Sequence, residues 1–285
     1  MPHALASLKV AALQLSSQAS PAENLGKVSN LVRAAARAGA GFVVLPENFA
    51  FMGTDGAKSA VAERLGDDRG PIQAALRELC VTERVSILAG GFPELSPDAQ
   101  RPFNTSALFD ERGELVCAYR KLHLFDVDLG THGALSESRT TSAGQEIVVA
   151  PVQGFQVGLS ICYDLRFPEL YRALVDRGAE ILTVPAAFTL YTGKDHWHVL
   201  VRARAIESQC YVIAAAQWGK HPEGRMTYGH ALIADPWGTV IAECSDHEGF
   251  ALATVERSFI QEVRSRIPCL SHRRLPLSVP KDPVL

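Results

Sequence analysis

The sequence predicts an α/β fold built from parallel crossover units. Short apolar runs of strand length alternate with longer segments whose apolar residues recur every three or four positions. The spacing between successive strands suits a crossover helix rather than a tight turn. With 47% hydrophobic and 21% charged residues over 285 positions, the chain has an ordinary globular composition and ample material for a core.

Val10–Leu15 reads as a buried strand. Ser20-Pro21-Ala22-Glu23 then signals a helix start, with Ser as N-cap, Pro in the first turn and Glu three residues after the cap. Leu25, Val28, Leu31, Val32 and Ala35 form its apolar stripe, and Gly39 its stop. Phe42–Leu45 follows as a strand running into Pro46-Glu47. A helix over Ile72–Cys80 precedes a strand at Val85–Ala89, and Ser106–Phe109 with Glu114–Tyr119 reads as a hairpin around Asp110-Glu111-Arg112-Gly113. Val157–Ile161, Pro168–Arg177 and Ile181–Val184 repeat the strand–helix–strand pattern. A helix from His196 to Ser208, strands at Tyr211–Ala216, Ala231–Ala234, Thr239–Ala242 and Phe250–Val255, and a turn at Asp235–Gly238 complete the series.

No linker, low-complexity run or solenoid-type repeat divides the chain. Residues 1–285 therefore read as one domain, with its core over about residues 8–266. The tail 267–285 carries Pro268, Pro276, Pro280 and Pro283 and is expected to be frayed or docked on a neighbouring subunit.

Lys+Arg total 28 against Asp+Glu 31, a net charge of -3, so a chain-wide basic field for nucleic acid or an anionic membrane is excluded. No apolar run approaches the ~20 residues of a membrane span. Met1–Leu8 shows neither a secretory signal nor a transit peptide. Six scattered cysteines without a C-x-x-C suggest free thiols in a reducing cytoplasm.

Ligands of open α/β sheets gather beyond the carboxyl ends of the strands. Glu47, Lys121 and Cys162 each follow an apolar strand. Singly, each has a plainer reading: a solvated or capping carboxylate, a surface lysine, an inert core thiol. Together they are the parts of a covalent acyl-transfer site, with a thiol to attack, a carboxylate to move its proton and an ammonium to hold an oxyanion.

Leu45-Pro46-Glu47-Asn48-Phe49, Tyr119-Arg120-Lys121-Leu122-His123-Leu124 and Cys162-Tyr163-Asp164-Leu165-Arg166-Phe167-Pro168-Glu169-Leu170 resemble the nitrilase superfamily of carbon–nitrogen hydrolases, in its Nit branch. The likeness runs from about Val10 to Pro276. It implies a four-layer α-β-β-α sandwich, usually assembled into a homodimer or larger homo-oligomer, and a reaction without cofactor. It assigns Glu47 as general base, Lys121 as oxyanion partner, Cys162 as nucleophile of a thioester intermediate, and Glu137 as a second glutamate near the lysine. As a plain sequence feature, Glu137 is also an ordinary loop carboxylate.

The resemblance further implies a small-molecule amide substrate, the side-chain amide of a 2-oxo acid. Arg166 matches the branch's carboxylate-binding position, while Phe188 and Thr192 match pocket-lining ones. Tyr163 is expected to brace the pocket, as is Asn48. An ion pair of Arg166 with Asp164 or Glu169 is the alternative. Ala214–His221 and Tyr228-Gly229-His230 look more like the subgroup acting on deaminated glutathione than like ω-amidases. N-carbamoyl amino-acid and aliphatic amide hydrolysis stand as further alternatives, as does a non-catalytic interaction protein on the same scaffold. Cys-Tyr-Asp-Leu-Arg around Cys162 speaks against a true nitrilase.

One stretch departs from the pattern: the common Gly-Pro-Ala-His-Trp-Glu is Gly193-Lys194-Asp195-His196-Trp197-His198 here. Residues two apart on a helix face different sides, and no third ligand is placed nearby, so His196 and His198 predict no metal site. His123 is expected to make a structural hydrogen bond.

Overall fold

Strand β1 (Ser7–Leu15) alternates its side chains between two separate cores, and that alternation organises the molecule. The structure, a computed structural model, describes residues 7–67, 69–130 and 133–275. Val10 and Ala12 face one core, Ala11 and Leu13 the other. Both faces of a strand this apolar must be covered, which calls for layers on each side.

The first sheet is built on β1, β2 (Phe42–Val44) and β3 (Ser86–Glu94), which run parallel, and continues antiparallel into β4 (Phe103–Phe109) and β5 (Leu115–Arg120). Two helices, α1 (Pro21–Arg37) and α2 (Pro71–Glu83), lie on its outer face and bury Val28, Val32, Leu76 and Leu79 against Leu13, Val43 and Ile87. The expected cap is present: the Ser20 hydroxyl accepts from Glu23 N–H at 3.4 Å.

The second sheet has β8 (Val149–Val152), β9 (Phe155–Leu159), β10 (Ile181–Thr183), β11 (Tyr211–Ala214), β14 (Leu232–Ala234) and β15 (Val240–Glu243). Strands β9, β10 and β11 are parallel. Helices α3 (Pro168–Asp176) and α4 (Leu190–Ser208) cover its outer face, where a Cβ on Gly158 would lie 3.1 Å from Leu174. Phe42, Val44 and Leu88 of the first sheet and Val157, Leu159 and Ile213 of the second belong to one continuous core. The order is thus helix, sheet, sheet, helix.

Some elements differ from the sequence reading. The strand expected over Tyr211–Ala216 is two: β11 ends at Ala214, and after Ala215 the chain enters β12 (Ala216–Lys220), which pairs with β1 in the other sheet. Helix α4 starts at Leu190, not His196, because Thr189 caps it by accepting from Thr192 N–H at 3.3 Å. The hairpin β6 (Asp126–Asp128) and β7 (Ala134–Ser136), strands β8 and β13 (Met226–Tyr228), and helix α5 (Arg257–Arg266) were not foreseen. Strand β16 (Gly249–Glu256) pairs antiparallel with β1 along its length. Residues 1–6 and 276–285, which hold most of the start that was read for targeting signals and most of the proline-bearing tail, lie outside the described residues. Among the described residues no helix is long and apolar enough to cross a membrane.

Candidate active site

Four side chains from four distant loops meet at the carboxyl ends of the strands. Glu47 lies just after β2, and its neighbour Asn48 adopts φ 59° while donating its N–H to Gly91 O at 2.9 Å. Lys121 directly follows β5 and is anchored by its N–H on Asn104 O at 2.9 Å. Glu137 follows β7 at the base of the β6–β7 hairpin. Cys162 opens a short 3₁₀ helix (Cys162–Arg166) after β9, at φ 50°, with its N–H on Pro185 O at 2.8 Å. Such a left-handed bend is costly for a residue with a side chain and persists only where the surroundings enforce it.

Those surroundings centre on Asp164, which is fully buried. Its carboxylate accepts from Tyr119 Oη at 2.7 Å, from Ile161 N–H at 2.8 Å and from His123 N–H at 3.1 Å, and lies 2.7 Å from His123 Nδ1. His123 stacks on Phe167 with centroids 3.7 Å apart. The bend at Cys162 is therefore tied to the loop that bears Lys121.

Lys121 Nζ donates to Glu47 Oε1 at 2.9 Å and to Glu137 Oε2 at 2.8 Å. Asn104 Nδ2 spans the same two carboxylates, at 2.9 Å from Glu47 Oε1 and 3.3 Å from Glu137 Oε1. Glu137 also accepts from Phe125 N–H at 2.8 Å, and Glu47 Oε2 from Ala187 N–H at 3.0 Å. Glu47, Lys121 and Cys162 are 4%, 2% and 8% exposed. Burial alone would lower the ammonium's pKa, but Glu137 and then Glu47 outweigh it and hold Lys121 well above the ordinary lysine range. Burial pushes Glu137 up, and Lys121 more than reverses that, leaving its carboxyl below the ordinary range.

The Cys162 thiol is pushed well above its ordinary value by burial and then by the Glu47 charge, which Lys121 only partly offsets. Glu47 and Cys162 line the same cavity, and the carboxylate's charge is felt at the thiol. The resting group is thus a neutral thiol beside a carboxylate able to take its proton and an ammonium able to stabilise a developing oxyanion.

All four line one cavity of about 640 Å³. Met52, Phe125, Leu129, Leu135, Leu190 and Tyr191 give it apolar walls, and Lys58, Lys194 and Arg225 bring cations to it. Apolar walls with a few convergent polar groups are the usual make-up of a small-molecule site.

The comparisons with known proteins fit this arrangement. The family model described as carbon-nitrogen hydrolase matches residues 9–265. The chain belongs to the carbon–nitrogen hydrolase family. A relative from Synechocystis, named deaminated glutathione amidase, is 46% identical over 266 residues, covering 92% of this chain and 97% of that protein. The Caenorhabditis elegans NitFhit protein superposes with a TM-score of 0.90 at 38% identity, over 96% of this chain and 67% of that one. A Saccharomyces cerevisiae member of branch 10 of the nitrilase superfamily gives a TM-score of 0.84 at 30% identity, over 93% and 96% of the two chains. The fold is accordingly the four-layer sandwich of the nitrilase superfamily, and hydrolysis of amide carbon–nitrogen bonds is the family's chemistry.

In this carbon–nitrogen hydrolase, Glu47, Lys121, Glu137 and Cys162 come together, while Tyr163, Arg166, Phe188 and Thr192 lie outside the lining of the cavity. Arg166 sits with its guanidinium 5.4 Å from the Phe188 ring and 6.0 Å from the Tyr163 ring, and 3.4 Å from His196 Nδ1. Asp164, weighed as its ion-pair partner, is occupied by Tyr119 and His123 instead, and among the described residues no ion pair joins Arg166 to Glu169. Phe188 packs on Trp197, and the Thr192 hydroxyl is 2.9 Å from that of Thr189 at the start of α4. Tyr163 meets Phe125 and Phe167 edge-on. Asn104, which bridges the two carboxylates, was missed by sequence reasoning: an Asn within a strand carries no signal of its own until the partner carboxylates are placed.

Proposed function

We propose that this hydrolase cleaves the side-chain amide of a 2-oxo acid, with deaminated glutathione as substrate and 2-oxoglutarate and cysteinylglycine as products. The observation that carries the reading is the meeting of Cys162, Glu47 and Lys121 in one cavity, in a chain 46% identical to a relative named for that activity.

Cys162 attacks the amide carbon while Glu47 takes the thiol proton. The carbonyl oxygen becomes an oxyanion against Lys121 Nζ, with Tyr163 N–H, at the first turn of the 3₁₀ helix, as a second donor. Collapse breaks the carbon–nitrogen bond, and Glu47 returns the proton to the leaving amine. A water, deprotonated by Glu47, then hydrolyses the thioester and restores the thiol. Glu137 and Asn104 keep Lys121 charged and aimed. Arg166, the residue expected to bind the substrate carboxylate, lies outside the cavity lining, whose cations besides Lys121 are Lys58, Lys194 and Arg225.

Purified protein is given deaminated glutathione and, separately, 2-oxoglutaramate, and 2-oxoglutarate release is followed. Turnover favouring deaminated glutathione, lost in Cys162→Ala, is expected. Equal or better turnover of 2-oxoglutaramate moves the assignment to ω-amidase, and an active Cys162→Ala protein ends the nucleophile assignment.

Six free cysteines support a reducing, cytoplasmic setting, and Val199 and Ile206, 66% and 49% exposed on α4, support a homo-oligomer. Sedimentation of the purified protein tests the latter: a monomer at working concentration refutes it.

A further inference from the structure

Helix α4 and strand β15 bring a second group of polar side chains together, apart from the lining of the cavity. His198 Nε2 lies 2.8 Å from Glu243 Oε1, and His230 Nδ1 lies 2.8 Å from the same oxygen. Donor atoms of all three lie within 4.8 Å of one another. The sequence does not reveal the grouping, because the companions of His198 come from the segment between β13 and β14 and from the end of β15.

We propose that His198, His230 and Glu243 bind a divalent transition-metal ion, zinc in particular. Two imidazoles and one carboxylate are a donor set suited to zinc, with a fourth position left for water. Metal–donor bonds of about 2.0–2.2 Å set tetrahedral donor atoms roughly 3.4 Å apart. The 2.8 Å contacts therefore need only sub-ångström widening to admit an ion.

The frame around the three is already rigid. Trp197, fully buried beside His198 in sequence, donates Nε1–H to His230 O at 2.7 Å and so ties α4 to the backbone of the second ligand. His230 is held at φ 58°, in the left-handed region, after Gly229 at φ 77°. The Tyr228 ring stacks on His230 with centroids 4.4 Å apart and meets His198 edge-on at 5.9 Å. Asp246 Oδ1 is 3.5 Å from His230 Nε2, the ring nitrogen facing away from Glu243. A carboxylate on that nitrogen fixes the proton there and leaves Nδ1 free to ligate, the support that metal-bound histidines commonly have.

The departure at position 198 gains a reason from this. Where the related stretch often carries Glu, this chain carries an imidazole facing another imidazole across a shared carboxylate. A bound ion would clip α4 to β15 one helical turn beyond Lys194, which lines the cavity. An ion that binds only the folded chain also raises its melting temperature by mass action.

The test uses the metal-free full chain carrying Cys162→Ala, so that the cavity thiol is no zinc ligand. Calorimetric titration with zinc chloride is expected to show one saturable equivalent, with a rise in melting temperature. Both are expected to vanish in His198→Gln and in Glu243→Gln, while Asp246→Asn weakens binding by about 10-fold or more. The His198 and Glu243 side chains are 32% and 33% exposed, so both replacements should fold, and circular dichroism without metal checks this. Cobalt substitution provides a second measurement: its spectrum should lack thiolate charge-transfer bands. No saturable zinc binding, or binding that survives either replacement, overturns the proposal and leaves the three as a hydrogen-bonded relay only.

Discussion

Lys121 Nζ stands 2.9 Å from Glu47 Oε1, although 74 residues separate the two in the chain. The same ammonium also pairs with Glu137 at 2.8 Å, so one buried cation is in direct contact with both carboxylates. Removing one member of a buried ion cluster strands the others, which costs more than the cluster itself contributes. Lys121→Met is therefore expected to lower unfolding free energy by about 3–5 kcal/mol at neutral pH and to abolish hydrolysis. Urea denaturation checks the first, and a loss below ~1 kcal/mol would contradict the buried arrangement.

The same cluster makes stability depend on pH in a defined direction. Glu137 is held below the ordinary glutamate range by Lys121, against the opposing effect of burial. A carboxyl depressed in the folded state contributes stability above its unfolded value and loses it as pH falls through the folded one. Lys121, raised by Glu137 and Glu47, keeps its contribution below the ordinary lysine range and loses it only as pH rises through its elevated value. The advantage of wild type over Glu137→Gln should therefore be constant through neutrality and shrink on going from pH 7 to about pH 3, across the ordinary glutamate value of about 4.3. An advantage that grows on acidification would refute the sign.

Replacing the base should make the thiol ionise more readily and yet lower turnover. Burial and the Glu47 charge raise the Cys162 thiol, and Lys121 lowers it. In Glu47→Gln the lysine remains and the repelling charge is gone. The pH midpoint for alkylation of Cys162 by iodoacetamide should shift down, while amide hydrolysis falls by about 10²-fold or more. Peptide mass spectrometry separates Cys162 from Cys80, Cys210 and Cys244, which burial pushes up to about 12. A midpoint that rises instead would place Glu47 outside the thiol's field.

What the sequence disclosed and what it hid divide along physical lines. Ser20, Pro21 and the stripe over Val28–Ala35 act within one helix, so α1 was readable from local chemistry. Glu47, Lys121 and Cys162 stood out because each closes an apolar strand, where parallel sheets present their ligands. The β6–β7 hairpin escaped because its alternation is short and none of its strand residues is buried, so no apolar face marks it. Helix α5 buries only Ile260 and Val263, too narrow a stripe to register. The split of one apolar run between β11 and β12 is invisible locally, since both halves are buried and differ only in which sheet supplies their hydrogen bonds. Asn104 and the pairing of His198 with His230 depend on side chains brought from far along the chain, which periodicity does not encode.

Gly90 provides a test of how tightly the scaffold fixes the base. It lies where β3 shifts register against β4, between Ala89 and Phe92. A Cβ there would sit 1.7 Å from Leu45 O and 2.7 Å from Pro185 Cβ. The first contact is with backbone, in the segment leading to Glu47, and the second is with the residue whose carbonyl holds Cys162 N–H. Neither can retreat by rotating a flexible side chain, so the strain has to be relieved by moving the chain segments that carry base and nucleophile. Overpacking of a close-packed interior costs about 1–3 kcal/mol, and contact with main chain places Gly90→Ala at or above the top of that range. The variant is expected to unfold at lower denaturant and, in the fraction still folded, to lose kcat more than KM, since the reacting groups are displaced. Gly26→Ala is the control, because no atom lies within 4 Å of its added methyl and the residue sits mid-helix in α1. It should leave kcat unchanged and stabilise by a few tenths to about 1 kcal/mol. Equal stability and activity in Gly90→Ala and wild type would mean that the approach of β3 to the Glu47 segment is looser than the structure has it.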